Sequence, residues 1–184
     1  ALPYPGEHNV MNAAAALALA LEAGCEPEQL KAGLAKFKGV DRRFSIRLPA
    51  PKVLIDDYAH HPTEINAVAD ALEAFYPNQI KLGVFQPHLF SRTRDFLSGF
   101  KQALARFDEV LLLDIYPARE LQMEGITSAL LVDESHNATQ LIDKHMLSEM
   151  IAKSTATVVA IMGAGDIAFE VPAVIQTLKN QQYA

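Results

Sequence analysis

From Phe44 onward the chain alternates short, β-branched apolar runs with longer amphipathic segments, and this alternation constrains the fold more than any other feature. The runs are VLI at 53–55, IKLGVF at 80–85, EVLLLDI at 109–115, ALLVD at 129–133 and TVVAIM at 157–162. Each is short for a helix and is bounded by polar or turn residues, as a buried strand is. Helical patterns lie between them. TEINAVADALEAFY, capped by Thr63, places Ile65, Val68, Ala69 and Leu72 on one side. A second helix is predicted from 91 or 93 to 106, carrying Phe96, Leu97, Phe100 and Leu104. Others are predicted at 138–153 and 167–179, and SIRLPAPKVLI adds a hairpin or edge strand before the first buried run. Such alternation predicts an α/β fold with a mainly parallel sheet and helices on both faces.

The polar residues fall in a regular place. DDYAHH at 56–61, QPH at 86–88 with SRTR at 91–94, DIYPARE at 114–120 and GAGD at 163–166 each follow an apolar run. In a parallel sheet these four loops share the edge at the strands' carboxyl ends, where open α/β sheets bind ligands. Asp56 and Asp57 are adjacent, so an extended chain turns them to opposite sides and at most one faces a given ligand. Arg92 and Arg94 are expected at a helix start, where the dipole disfavours cations unless an anion such as a carboxylate or phosphate offsets it. The alternative is a surface pair bridging to Asp95 or Glu120. GAGD lacks the third glycine of a dinucleotide fingerprint and reads as a tight turn permitting close backbone approach. His8, His60, His61 and His88 fall in the site region, but adjacent His60 and His61 do not easily share one ion. No Cys or Glu-x-x-His spacing accompanies them, and no metal site is expected.

Before residue 44 the pattern is helical. The turn-rich ALPYPG leads into a helix predicted at 9–23 and stopped by Gly24, followed by another at 27–37 with Pro27 in its first turn. Asn9 and Asn12 share one face; capping explains one of them, not both. GVDRRF follows, its arginines either a solvated corner or a phosphate contact.

At 184 residues and formal charge −6, with no basic run, the chain is large enough for one sizeable core and unsuited to nonspecific nucleic-acid binding. A single cysteine, Cys25, excludes an internal disulfide, and no apolar run reaches membrane-spanning length. The Ala-rich stretch lacks the basic flank of a signal peptide, and a chain opening at Ala1 is expected to be part of something longer.

GEHNVMNAAAALALA, GVDRRF, DDYAHHPTE, FQPHLFSRTRD, a DIYPARE-like segment and GAGDI, in this order and at these spacings, resemble the carboxyl-terminal part of the bacterial Mur ligases. The resemblance covers essentially the whole chain. DDYxHHPTE with FQPHxFxRTRD is its most specific part; HNxxN and RRF are shared with murein peptide-recycling ligases and, more remotely, folylpolyglutamate synthases. It implies that 1–44 is the helical tail of a central ATPase domain and 45–184 a Rossmann-like carboxyl-terminal domain. It also implies a cytoplasmic ligase of peptidoglycan synthesis, in which ATP phosphorylates the carboxylate of UDP-N-acetylmuramate and the amine of L-alanine attacks the acyl phosphate. ATP and Mg would be required, the metal ligands lying in the central domain.

By the same resemblance Asn9 and Asn12 would meet adenine, Arg43 the phosphates and Asp57 the ribose hydroxyls. Tyr58, His60, His88 and Arg92 would hold the incoming amino acid, Arg92 at its carboxylate and Arg94 beside it. Two positions depart from many relatives: Leu89 stands where they carry Arg, and Arg119 where they carry Gly. No Gly-rich, Lys-Ser/Thr phosphate loop occurs in the 184 residues, so the segment is expected to be inactive alone. Two rivals remain: a recycling ligase that attaches a whole peptide, whose wider and less charged pocket the RTRD segment argues against, and a non-catalytic nucleotide-binding module.

Overall fold

The computed structural model describes residues 7–37, 39–132 and 138–181, with the side chains of Glu7 and His8 outside the description. It divides into two compact units, Ala1–Asp41 and Arg42–Ala184.

The first unit is a pair of helices, α1 (Glu7–Glu22) and α2 (Pro27–Lys36). Ala and Leu favour α1, and Gly24 ends it with φ +84°. The Gly24 amide donates to Leu21 O and the Cys25 amide to Ala20 O, which satisfies carbonyls the helix end would otherwise leave open. Pro27 occupies the first turn of α2, where its missing N–H is no loss.

The second unit is a six-stranded sheet. Its strands are β1 (Ser45–Leu48), β2 (Val53–Asp57), β3 (Lys81–Phe85), β4 (Glu109–Leu112), β5 (Ala138–Leu141) and β6 (Val158–Met162), in the order β1-β2-β6-β3-β4-β5. β1 runs antiparallel to β2 as a hairpin; all other pairs are parallel. Helices α3 (Pro62–Phe75), α4 (Phe90–Asp95), α5 (Leu97–Leu104), α6 (Leu147–Lys153) and α7 (Val171–Gln181) complete it. Alternate residues of β6 feed two cores. Val158, Ala160 and Met162 join Ile65, Leu72, Phe100 and Leu104 of α3 and α5, while Val159 and Ile161 join Leu147, Ile151, Val174 and Leu178 of α6 and α7. Each fully buried side chain of this size contributes about 1.5–3 kcal/mol. The expected α/β sandwich with helices on both faces is what forms.

Five details differ from the sequence-based expectations. ALLVD is not a strand. Ser128–Leu131 form a 3-10 turn, held by the Ser128 hydroxyl donating to Leu113 O at 2.6 Å, with Leu131 buried in the core beneath α5; Asp133 lies outside the described residues. The strand beside β4 is instead Ala138–Leu141, where a helix was expected to begin; α6 starts only at Leu147. β5 is an edge strand with mostly exposed residues, so it has no apolar run to mark it.

The helix expected over 91–106 is two helices. Phe96 leaves helical geometry at φ −114°, ψ 22°, its ring edge-on to His61 at 4.5 Å between centroids. Arg92 and Arg94 therefore sit in the last turn of a six-residue helix, where the dipole favours cations, and their placement demands no anion. α3 begins one residue early at Pro62, capped by His61 rather than Thr63; the Thr63 amide donates to His61 Nδ1 at 3.3 Å. Finally, Asp166–Glu170 is a 3-10 turn and α7 starts at Val171, with Pro172 in the first turn.

Candidate functional site

Because β2, β3, β4 and β6 are parallel, the four polar loops do converge at one edge. β2 delivers two carboxylates there, and the fold uses both. Asp56, 2% exposed, is bound by Arg42 Nε at 3.1 Å and Arg47 Nη2 at 2.9 Å. Asp57, 6% exposed, accepts the Phe44 amide at 2.6 Å on one oxygen and the Ala59 amide at 2.8 Å on the other. Burial pushes the Asp57 carboxyl up, against the pull of those two amides and of Arg43. Asp57 thus closes the loop between β2 and α3, and a ligand reaching it would share oxygens already bonded.

The adjacent arginines have opposite fates. Arg42 is internal: besides Asp56 it donates to Gly163 O at 2.5 Å, tying the β2 loop to GAGD. Arg43 is half exposed and reaches Glu64 at 3.6 Å. Both guanidinium groups approach Tyr58, at 5.1 and 5.8 Å from its ring centre.

Tyr58 begins a row of rings across the sheet edge. Its centroid is 5.4 Å from His60, His60 is 6.1 Å from His88, and His88 stacks on Tyr116 at 5.7 Å. His60 is oriented by Glu64, whose carboxylate accepts the His60 amide at 2.8 Å and lies 3.1 Å from Nδ1. Arg92 Nη1 lies 3.5 Å from His88 Nδ1. Burial, then Arg92, His60 and Arg119, hold the His88 pKa below its ordinary value, which keeps the ring neutral and an acceptor at neutral pH. Tyr58, His60, His88 and Arg92, expected together, are brought together. Arg94 is not among them: it is exposed and paired with Asp95 at 2.7 Å, as in the alternative surface reading.

Backbone hydrogen bonds knit the loops. Leu89 donates to Tyr116 O at 3.0 Å and Tyr116 to Pro87 O at 2.8 Å. Ser91 donates both its amide and its hydroxyl to Glu120. Arg42, Phe44, Leu89 and Ala118 all have φ between +48° and +73°, a conformation that side chains disfavour and that the surrounding contacts must hold. Leu89, at φ +73°, is the position at which this chain departs from the pattern the resemblance implies.

Beyond Tyr116 opens a cleft of ≈ 710 Å³ lined by Gln86, Tyr116, Asp143, Lys144, Asp166 and Glu170 among others; Tyr58, His60, His88 and Arg92 do not line it. Arg42, Glu64, Gln86, Tyr116 and Glu120 were missed as individual site residues, although Gln86, Tyr116 and Glu120 stand in loops whose position after a strand marks them. Asn9 and Asn12 lie on α1, in the first unit. Among the described residues no three His, Cys, Asp or Glu side chains are grouped as metal ligands.

Residues 42–165 match the family described as Mur ligase, glutamate ligase domain. The chain is 55% identical over 179 residues to the UDP-N-acetylmuramate–L-alanine ligase of Christiangramia forsetii, covering 96% of this chain and 40% of that protein. Against the enzyme of the same name from Flavobacterium psychrophilum it is 56% identical over 165 residues, 89% of this chain and 37% of that one. The crystal structure of UDP-N-acetylmuramate–alanine ligase from Thermotoga maritima superposes with a TM-score of 0.79 at 29% identity, over 100% of this chain and 40% of that one. This chain therefore spans about 40% of the length of such relatives. The family match takes in β1 to β6 and the whole ring row, and on it the chain belongs to the Mur ligase family.

Proposed function

We propose that this chain is the carboxyl-terminal part of a cytoplasmic, ATP-dependent ligase that joins L-alanine to UDP-N-acetylmuramate in peptidoglycan synthesis. The carrying observation is Arg92 beside a neutral His88 at a ring-lined edge. The likeness to L-alanine ligases at 55% identity supports the same reading. In the reaction ATP transfers its γ-phosphoryl group to the sugar carboxylate. The L-alanine amine attacks the acyl carbon, and the tetrahedral intermediate expels phosphate to leave an amide. The guanidinium fork of Arg92 fits the L-alanine carboxylate; His88, accepting from Arg92, keeps that fork oriented. Tyr58 and His60 bound the same space. Arg94, exposed and paired with Asp95, stands outside this contact. Arg43 meets the nucleotide phosphates and Asp57 the ribose, while Asn9 and Asn12 read adenine through their amides. Residues 1–44 are the tail of the central ATPase domain and 45–184 the third domain; magnesium is held outside this chain.

A recycling ligase would take a peptide instead of a single amino acid. The full-length polypeptide carrying this chain, given ATP, Mg and UDP-N-acetylmuramate, tests the choice. Product with L-alanine at far higher kcat/KM than with a muropeptide-type tripeptide is expected. The reverse preference, or no ligation with either, would overturn the assignment.

A further inference from the structure

We propose that Gln86 is a positioning residue for the amino-acid site: a clasp made with Asp166 and the Ile167 amide fixes the segment that carries His88 and Arg92. The inference rests on the L-alanine reading above.

Gln86 is the first residue after β3 and is 2% exposed. Its amide donates to Met162 O at 3.0 Å, extending the β3–β6 ladder. Its side chain bridges eighty residues of sequence. Oε1 accepts the Ile167 amide at 3.0 Å, and Nε2 donates to Asp166 Oδ1 at 2.7 Å. The other Asp166 oxygen meets Lys144 Nζ at 2.5 Å. One carboxamide thus joins the loop after β3 to the loop after β6, and through Asp166 to the link between β5 and α6.

The other side of the clasp is as tight. A Cβ on Gly165 would lie 2.5 Å from Gln86 Oε1 and 2.7 Å from Tyr116 Cγ, so only glycine lets the GAGD turn press onto both. Tyr116 stacks on His88 and accepts the Leu89 amide. His88 follows Gln86 by two residues across Pro87, whose fixed φ transmits little slack. The path runs Lys144–Asp166–Gln86, then to His88 and Arg92, and none of the first three belongs to the proposed substrate contacts.

The chemistry requires an amide at 86. The position must donate to a carboxylate and accept an N–H at once. Glutamate would set two carboxylates at hydrogen-bond distance. Exchanging the pair restores the pattern: in Gln86→Glu with Asp166→Asn, the carboxylate accepts both the Asn Nδ2 proton and the Ile167 amide, and the Asn oxygen still faces Lys144.

The test uses the full-length ligase with each substrate varied in turn. Gln86→Glu is expected to raise KM for L-alanine at least about tenfold, with KM for ATP and UDP-N-acetylmuramate moving less than about twofold. The double variant Gln86→Glu/Asp166→Asn is expected to return within about threefold of wild type, an interaction that independent sites would not give. Equal losses for all three substrates, no change in Gln86→Glu, or a double variant no better than Gln86→Glu would overturn the proposal. If Gln86→Glu does not fold, Lys144→Met decides: an L-alanine-specific KM rise of about twofold or more supports the clasp, and its absence overturns it. Should the wild-type protein form no L-alanine product, the functional reading falls first and this inference with it.

Discussion

The imidazole of His88 lies against the ring of Tyr116, centroids 5.7 Å apart and planes 26° from parallel. Through this stack and the Leu89–Tyr116 and Tyr116–Pro87 hydrogen bonds, the loops after β3 and β4 behave as one surface. Tyr116→Phe keeps the stack and is expected to keep stability. Tyr116→Ala removes it, at about 0.5–1.5 kcal/mol beyond the lost apolar burial. Urea unfolding midpoints of the two variants check this; equal midpoints would show that the stack holds nothing.

His88 gives the fold a pH signature. Its folded pKa lies below the ordinary 6.5, so between the two values the unfolded chain binds more protons and stability rises with pH. The contribution is fully present above 6.5 and is lost as pH falls through the folded value. His88→Gln is therefore expected to flatten the decline in Tm between about pH 7.5 and 5.5, the range around the unperturbed imidazole pKa. A variant that loses Tm as steeply as wild type would contradict the burial and arginine effects named above.

Asp57 and Asn12 are both proposed nucleotide contacts, yet the fold loads them differently. Asp57→Ala leaves two amides, Phe44 and Ala59, without their acceptor, and is expected to destabilise by about 1–3 kcal/mol for each that stays buried and unpaired. Asn12 is exposed on α1, so Asn12→Ala is expected to leave stability unchanged. Both are expected to raise KM for ATP more than KM for L-alanine. Denaturation and kinetics on the same preparations separate the effects. An Asn12→Ala enzyme with unaltered ATP kinetics would remove that residue from the adenine site.

The 184-residue chain alone is expected to fold but neither to hydrolyse ATP nor to form amide bonds. It contains no phosphate loop whose amides and lysine would hold the transferred phosphoryl group. Turnover by the purified chain that survives contaminating-ATPase controls would contradict this.

Much of the architecture is legible in the amino-acid sequence. β2, β3, β4 and β6 are buried on both sides and so are written as continuous apolar runs, which also places their loops at one edge. β5 is illegible because an edge strand with exposed residues has no such run, and ALLVD misleads because a 3-10 turn that roofs a core needs the same apolar residues. The break at Phe96 is a tertiary event: its ring meets His61, thirty-five positions away, and nothing in SRTRDFL announces it. Tyr58, His60, His88 and Arg92 are readable as polar residues following strands. What is unreadable is which charges the fold keeps for itself. Asp56, Asp57 and Arg42 are taken by internal partners, and the adjacent Arg43, of the same residue type, is left half exposed.

The proposed hold of this sheet edge on the carboxylate of L-alanine is tested most directly at Arg92. Steady-state kinetics of the full-length enzyme, with each of the three substrates varied in turn, should show Arg92→Ala weakening L-alanine use by more than about tenfold, as the loss of a charge-assisted bond of roughly 1.5–3 kcal/mol requires. Arg92→Lys should be impaired too, because a point charge lacks the bidentate fork. The constants for ATP and UDP-N-acetylmuramate should change little. An equal loss for all three substrates would make Arg92 structural, and a loss confined to ATP would place it at the phosphates; either contradicts the account.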